Sequence, residues 1–305
     1  MKFFLLIVGL FILVSCSISP PRNIPLGMGS NRLESRFPES NYIVYKAQGV
    51  TQAEAEEKSL AQIKFFFIEQ VNQHFKKVGI ISFKDGNTEN LVDYYLDIFD
   101  VYYALDTQNN NYFGKFSAVA YIDRNIAWQS YVPSFNNHIN HVSTLVKQAE
   151  NERDMFKKAL IYIQAYEYTI SIDFIIDELF GQIVNSLKMN EDFFDERMKI
   201  AQLPRLIQNT KQYANVYISC STDFESMIYN AFSDGFNAKG FPVTSDKDLA
   251  TAVCEISISD DFVLSAEIFS SSGKIDSTII HVLKQEDIKK TYELLVEKVK
   301  VEFNN

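Results

Sequence analysis

The chain has 305 residues, with 29 Lys and Arg against 39 Asp and Glu for a net charge of −10, and 47% of its residues are hydrophobic. With 25 Phe and 16 Tyr it can build packed cores, which excludes an intrinsically disordered chain. The acidic balance argues against nucleic acid as a partner and against electrostatic adhesion to anionic lipid.

The chain opens with Lys2 and an apolar run, Phe3 to Val14, that closes on Leu13-Val14-Ser15-Cys16. This is the charged and apolar layout of a secretory signal. The run falls short of the ~20 residues a helix needs to cross a bilayer. An ordinary signal ends on small residues, whereas this one ends on a cysteine, and the segment resembles the bacterial lipobox. Leu13 and the small Ser15 fit that pattern; Val14 is a departure from it. The resemblance implies that residues 1–15 are removed and that Cys16 becomes the lipidated first residue, held in the bilayer by its acyl chains. Two or more such chains suffice for stable anchoring. Ser17 after the cysteine, where Asp would mark retention, implies by the same resemblance the outer membrane of a double-membraned bacterium. A plain secretory signal with a chance cysteine is the competing reading. Residues 16–36 then read as a lipidated cysteine and flexible tether, rich in Ser, Pro, Gly and Asn and without an apolar period.

About 290 residues remain, which predicts more than one compact domain. The first αβ domain is expected over 37–133. Tyr42 to Ala47 has strand composition and ends at Gly49. Thr51 and Glu54 form a capping box for a helix whose apolar face carries Leu60, Ile63, Phe67, Val71 and Phe75. A polar excursion follows, then two strand-like runs, Leu91 to Asp106 and Tyr112 to Asp123, joined as a hairpin through Asn109-Asn110-Asn111. Phe99, Val101, Tyr103 and Leu105 alternate on one face of it, as do Phe116, Ala118, Ala120 and Ile122. Tyr95, Tyr102, Tyr112 and Tyr121 are a candidate aromatic binding surface, set against the plainer role of amphipathic strand residues.

The order FPESNYIVYKAQGVTQAEAEEKSLAQIKFFFIEQV, then a hairpin ending YFGKFSAVAYIDR, resembles the Lpp-twenty type of bacterial envelope lipoprotein over Phe37 to Arg124. The resemblance implies an envelope lipoprotein and supplies no catalytic residues. The Gly79 to Asn90 insertion and the large C-terminal portion depart from the compact form.

Residues 134–213 read as a helical connector. Apolar spacing from His141 to about Lys188 predicts two packed helices, including Ala159, Ile163, Tyr166 and Ile170, then Phe174, Ile175, Leu179 and Ile183. Asp192 to Tyr213, interrupted by Pro204, reads as a linker or short helix. Residues 214–305 predict a second αβ domain of order βαβαββα, from the strand VYISC to the closing helix KQEDIKKTYELLVEKVKVEF. This portion resembles the small αβ domain at the amino end of TolB and of several envelope lipoproteins, which implies protein binding.

Chemistry is sparse. With Cys16 acylated, Cys220 and Cys254 remain; both a disulfide between them and two buried thiols fit their strand-like surroundings. His138-x-x-His141 lacks a third ligand and reads as a solvated pair. No nucleophile-elbow, zinc-protease, Walker or dinucleotide motif is present, so the reading names no catalytic residue, metal or cofactor. The expectation is an α+β protein of two small αβ domains joined by a helical segment. Its expected role is non-catalytic, binding an envelope protein or cell-wall partner. The alternative is a peptidoglycan hydrolase or transferase using carboxylates assembled from distant segments.

Overall fold

The computed structural model describes residues 36–77, 87–98, 104–110, 115–220, 225–285 and 287–304, so the lipobox, Cys16 and the tether up to residue 35 lie outside it. The chain is a mixed α+β fold with a three-stranded and a five-stranded sheet, divided into two compact units.

The first unit takes in the described residues up to Pro133 together with Gly181–Asn185. Its elements are β1 (Tyr42–Gly49), α1 (Gln52–Lys77), α2 (Asn87–Ile98), β2 (Ala104–Asn110) and β3 (Lys115–Asp123). The sheet is antiparallel with order β1-β3-β2. The capping box forms at the head of α1: Thr51 Oγ1 accepts from Glu54 N–H at 3.1 Å, and the Glu54 carboxylate accepts from Val50 N–H at 2.7 Å. Gly49 is needed where β1 turns into α1, because a Cβ there would lie 2.5 Å from the Ala55 nitrogen. Ala55, Ser59, Ile63, Phe67, Val71 and Phe75 recur every fourth residue and are all buried, so one stripe of α1 packs on the sheet. Opposite it stand Ile43 and Ala47 of β1 with Ala118, Ala120 and Ile122 of β3.

The hairpin of β2 and β3 forms as expected, but its first run does not. Residues Leu91 to Ile98, expected as strand, belong to the helix α2. The helix wins because Val92 and Tyr95, three apart, are both buried. On another side of α2, Glu89 and Asp93 share Lys64 of α1 at 3.1 and 2.9 Å. Phe99, Val101 and Tyr103 lie outside the described residues.

Four helices follow: α3 (Arg124–Asn151), α4 (Met155–Thr169), α5 (Ile172–Asp192) and α6 (Phe194–Lys211). Two were expected. Pro204, read as an interruption, lies inside α6, and Pro133, at the expected end of the first domain, lies inside α3. A proline removes one backbone bond from its helix, and here fully buried neighbours, Phe135 and Leu203, hold the backbone helical across it. Asn185, at φ −157° and ψ 80°, interrupts the helical path of α5.

The second unit comprises Ser134–Phe180 and Ser186–Asn305. Its sheet contains β4 (Val216–Cys220), β5 (Val243–Thr244), β6 (Ala252–Ile258), β7 (Val263–Ser270) and β8 (Gly273–His281), in the order β5-β4-β6-β7-β8. The helices α7 (Glu225–Ala238) and α8 (Ile288–Asn304) pack on each other and on this sheet. The expected order holds with two changes: the short helix after β5 is one 3-10 turn, Lys247–Leu249, and β8 is an additional strand. Val216, Ile218, Ile256 and Leu264 meet Ile228, Phe232, Leu295 and Val299 in one core, which Phe156 and Ala159 of α4 also enter.

Cys220 and Cys254 are buried in this core and are not joined by a disulfide. They face the same side of adjacent parallel strands, where Ile218 is the register partner of Cys254 and Ile256 of Cys220. Burial, with smaller contributions from Cys220 and Glu255, pushes the Cys254 thiol up to about 12, so it stays protonated and acts as a small hydrophobe.

Candidate binding groove

Of the four tyrosines singled out as an aromatic surface, Tyr95 and Tyr121 fall within the described residues. Tyr95 is 4% exposed on α2, so its ring is core rather than surface. Tyr121, on the face of β3 turned away from α1, stacks at 4.4 Å on Phe37 and lies 5.8 Å from Tyr42. Tyr102 and Tyr112 lie outside the described residues.

A groove of about 370 Å³ lies within the helical part of the second unit, between α3, α5 and α6. Its floor is Phe135 and Ile139 of α3 and Phe174 of α5, each at most 2% exposed. Phe135 is held by Phe193 at 4.9 Å, edge to face, so the floor is fixed rather than loose. The rim comes from the first turns of α6. Phe194 and Met198, four residues apart and hence on one helix face, are 60% and 47% exposed. The polar end is Arg197, whose guanidinium donates to Glu178 at 3.0 Å and also to Asn190. Glu178 is the carboxylate among the residues lining this groove, and Arg197 already engages it. An apolar trough with one charge-balanced polar end suits the apolar side chains of a ligand, and supplies no facing carboxylate pair.

Beside the floor stands a polar cluster. His138 and His141, three apart on α3, were expected as a solvated pair; His141 is exposed as expected, whereas His138 is half-buried against α5. The His138 Nδ1 hydrogen-bonds the carboxylate of Asp177, which is fully buried. His141 lies 4.5 Å from the Tyr168 ring, and His138 lies 5.7 Å from it. Burial, then the carboxylates of Asp177 and Asp173, hold the Tyr168 phenol above its ordinary value. These groups brace α3, α4 and α5 against one another behind the groove. Among the described residues no three or more His, Cys, Asp or Glu cluster in a way that would hold a metal ion, and no helix is long and apolar enough to cross a membrane.

The groove was not legible in the sequence because Pro204 marked 192–213 as a linker or short helix. One signal was available: Phe193-Phe194 followed by Met198 and Ala201 is apolar spacing of a helix. The buried Asp177 gave no signal, since an acid after Ile175-Ile176 reads as the polar face of the same helix.

No protein-family model and no curated protein matches the chain. Among solved structures it is similar to the secreted protein HP1454 from the human pathogen Helicobacter pylori, at 12% identity. The match covers 87% of this chain and 98% of that one, with a TM-score of 0.31, a likeness too slight to carry an inference about fold or function.

Proposed function

We propose that the protein is a lipid-anchored envelope lipoprotein that binds a protein or cell-wall partner without catalysing a reaction on it. The anchor follows from the lipobox-like run ending at Cys16, with outer-membrane placement from Ser17. The observation that carries the binding role is the groove: a rigid, buried aromatic floor with exposed Phe194 and Met198 on its rim. Soluble proteins seldom leave large apolar side chains grouped at a cavity mouth unless something covers them. A Phe or Leu from a partner would exchange water for Phe135, Ile139 and Phe174, gaining ~1.5–3 kcal/mol per fully buried side chain. Arg197 and Asn190 would orient it at the polar end.

Chemical crosslinking in intact cells, followed by identification of the captured molecules, tests this reading. The expected result is a specific set of envelope adducts that disappears in Phe194→Glu while the variant accumulates to normal levels. Adducts identical with and without the substitution, or none above background, would contradict it.

A further inference from the structure

The far edge of the five-stranded sheet carries features independent of the helical groove. β8 ends the strand order: β7 pairs with one side of it, and among the described residues no strand pairs with the other. Nine residues long, it leaves Asp276, Ser277 and Ile279 exposed, Ile279 by 64%. Natural edge strands are usually short, bulged at the edge or covered. The bulge falls on the edge strand itself: Ile268 pairs with Asp276 and Phe269 with Lys274, which leaves Ile275 of β8 as the extra residue, whereas Asp276 to His281 beyond it keeps regular pairing with β7.

Next to this edge is a cavity of about 170 Å³. Its walls are Ile268 of β7, Phe232 and Phe236 of α7, and Val299 and Phe303 of α8. Register explains why it is empty of side chains. Asp276 and Thr278 of β8 lie opposite Ile268 and Ala266, on the helix-facing side of the sheet. A core there calls for large apolar residues at both positions, and the chain supplies an acid and a small hydroxyl. Phe303 also sits over Gly235, where any Cβ would come within 2.4 Å of the ring, so the aromatic wall is built close against α7. Two carboxylates, Asp276 and Glu302, mark the lining, and the Asp276 carboxylate accepts from Ser277 N–H at 2.8 Å. The nearby cation Lys274 is committed to Glu267 at 2.6 Å.

The geometry points to an extended peptide as the ligand, added as a sixth strand along β8, with one bulky apolar side chain in the cavity and a Lys or Arg two residues away. Only another extended backbone matches a row of edge N–H and C=O groups. The cavity wall selects an apolar side chain. The spacing follows from the strand period, which returns to the same face every second residue. The cation follows from Asp276 and Glu302, whose carboxylates are complementary to it. This site adds to the binding role proposed above and does not depend on the helical groove.

Selection of a random nonapeptide display library on the full chain in detergent tests the site. The enriched peptides should carry a bulky apolar residue with Lys or Arg two positions away. Their synthetic consensus, followed by fluorescence anisotropy, should bind at least tenfold more weakly to Thr278→Phe, whose own ring fills the cavity, while the thermal midpoint of that variant stays level or rises. The paired change Asp276→Lys and Glu302→Lys should turn the selected charge from basic to acidic. Peptides without this spacing, no enrichment, or binding that survives Thr278→Phe would overturn the proposal. So would light scattering showing a dimer that Thr278→Phe converts to monomer, because a second copy would then own the edge. Phe194→Glu leaves this site intact, so failure here and failure of the helical groove are told apart.

Discussion

Three single residues carry separable consequences. Gly49 owes its identity to a close approach: a Cβ would lie 2.5 Å from the Ala55 nitrogen and 2.9 Å from the Thr51 oxygen, both backbone atoms. Gly49→Ala is expected to cost about 1–3 kcal/mol, as overpacking does, and to lower the urea midpoint of unfolding; an unchanged midpoint would contradict the fit. Asp154 caps α4, accepting from Lys157 N–H at 3.0 Å and from the Ser271 hydroxyl at 3.1 Å. Burial raises its carboxyl, but hydrogen bonds from Ser270, the Lys157 and Phe156 amides and Ser271 outweigh that and leave it below its ordinary value. A group lowered on folding stabilises above its unfolded pKa, so this contribution is complete near neutrality and is lost as pH falls from about 5 through the folded value. Asp154→Ala should therefore cost about 1 kcal/mol or more at pH 7 and show a flatter stability profile in acid. An equal loss at pH 7 and pH 3 would argue that the cap is packing alone. Cys254, pushed up to about 12 by burial, should resist alkylation in the folded chain at pH 8, and both Cys220 and Cys254 should label after denaturation without reductant. Failure to label denatured protein would mean a disulfide.

At the scale of elements, local patterns were legible where a single stripe meets a single core. The α1 stripe was read almost residue for residue, because its four-residue spacing and the Thr51–Glu54 box both act within the helix. The strand misreading of Leu91 to Ile98 has the opposite origin. Aromatic residues in that run have strand propensity, and what made it helix is tertiary: Val92 and Tyr95 buried, and Lys64 shared by Glu89 and Asp93. Proline misled for a related reason. Pro204 is exposed and follows the fully buried Leu203, so the helix is retained by packing despite the ring. Pro204→Ala should restore a backbone donor and raise stability by about 1–3 kcal/mol, read as a higher thermal midpoint; a lower midpoint would show that the ring itself packs. β8 was hidden because GKIDSTIIH shows hardly any hydrophobic alternation. The helix-facing positions Asp276 and Thr278 that obscure it are the ones that leave the cavity open. The two candidate sites were thus illegible for physical causes. One is assembled from α3, α5 and α6, and the other from a departure from pattern that reads as noise without the sheet.

For the whole molecule, the proposed anchoring rests on acyl chains at Cys16, because an acidic charge of −10 disfavours attraction to anionic headgroups. The apolar groove of the helical layer and the acid-rimmed edge of the five-stranded sheet ask for different ligands, and the proposed binding role assigns each its own partner. Both properties, anchor and groove, meet in one measurement: the yield of photoadduct from a benzophenone residue in place of Phe194, in intact cells, with Cys16 present and with Cys16→Ser. The account predicts a discrete adduct when Cys16 is present and a severalfold loss when the anchor is removed at equal protein level. An adduct yield indifferent to Cys16, or no adduct in either strain, would contradict it.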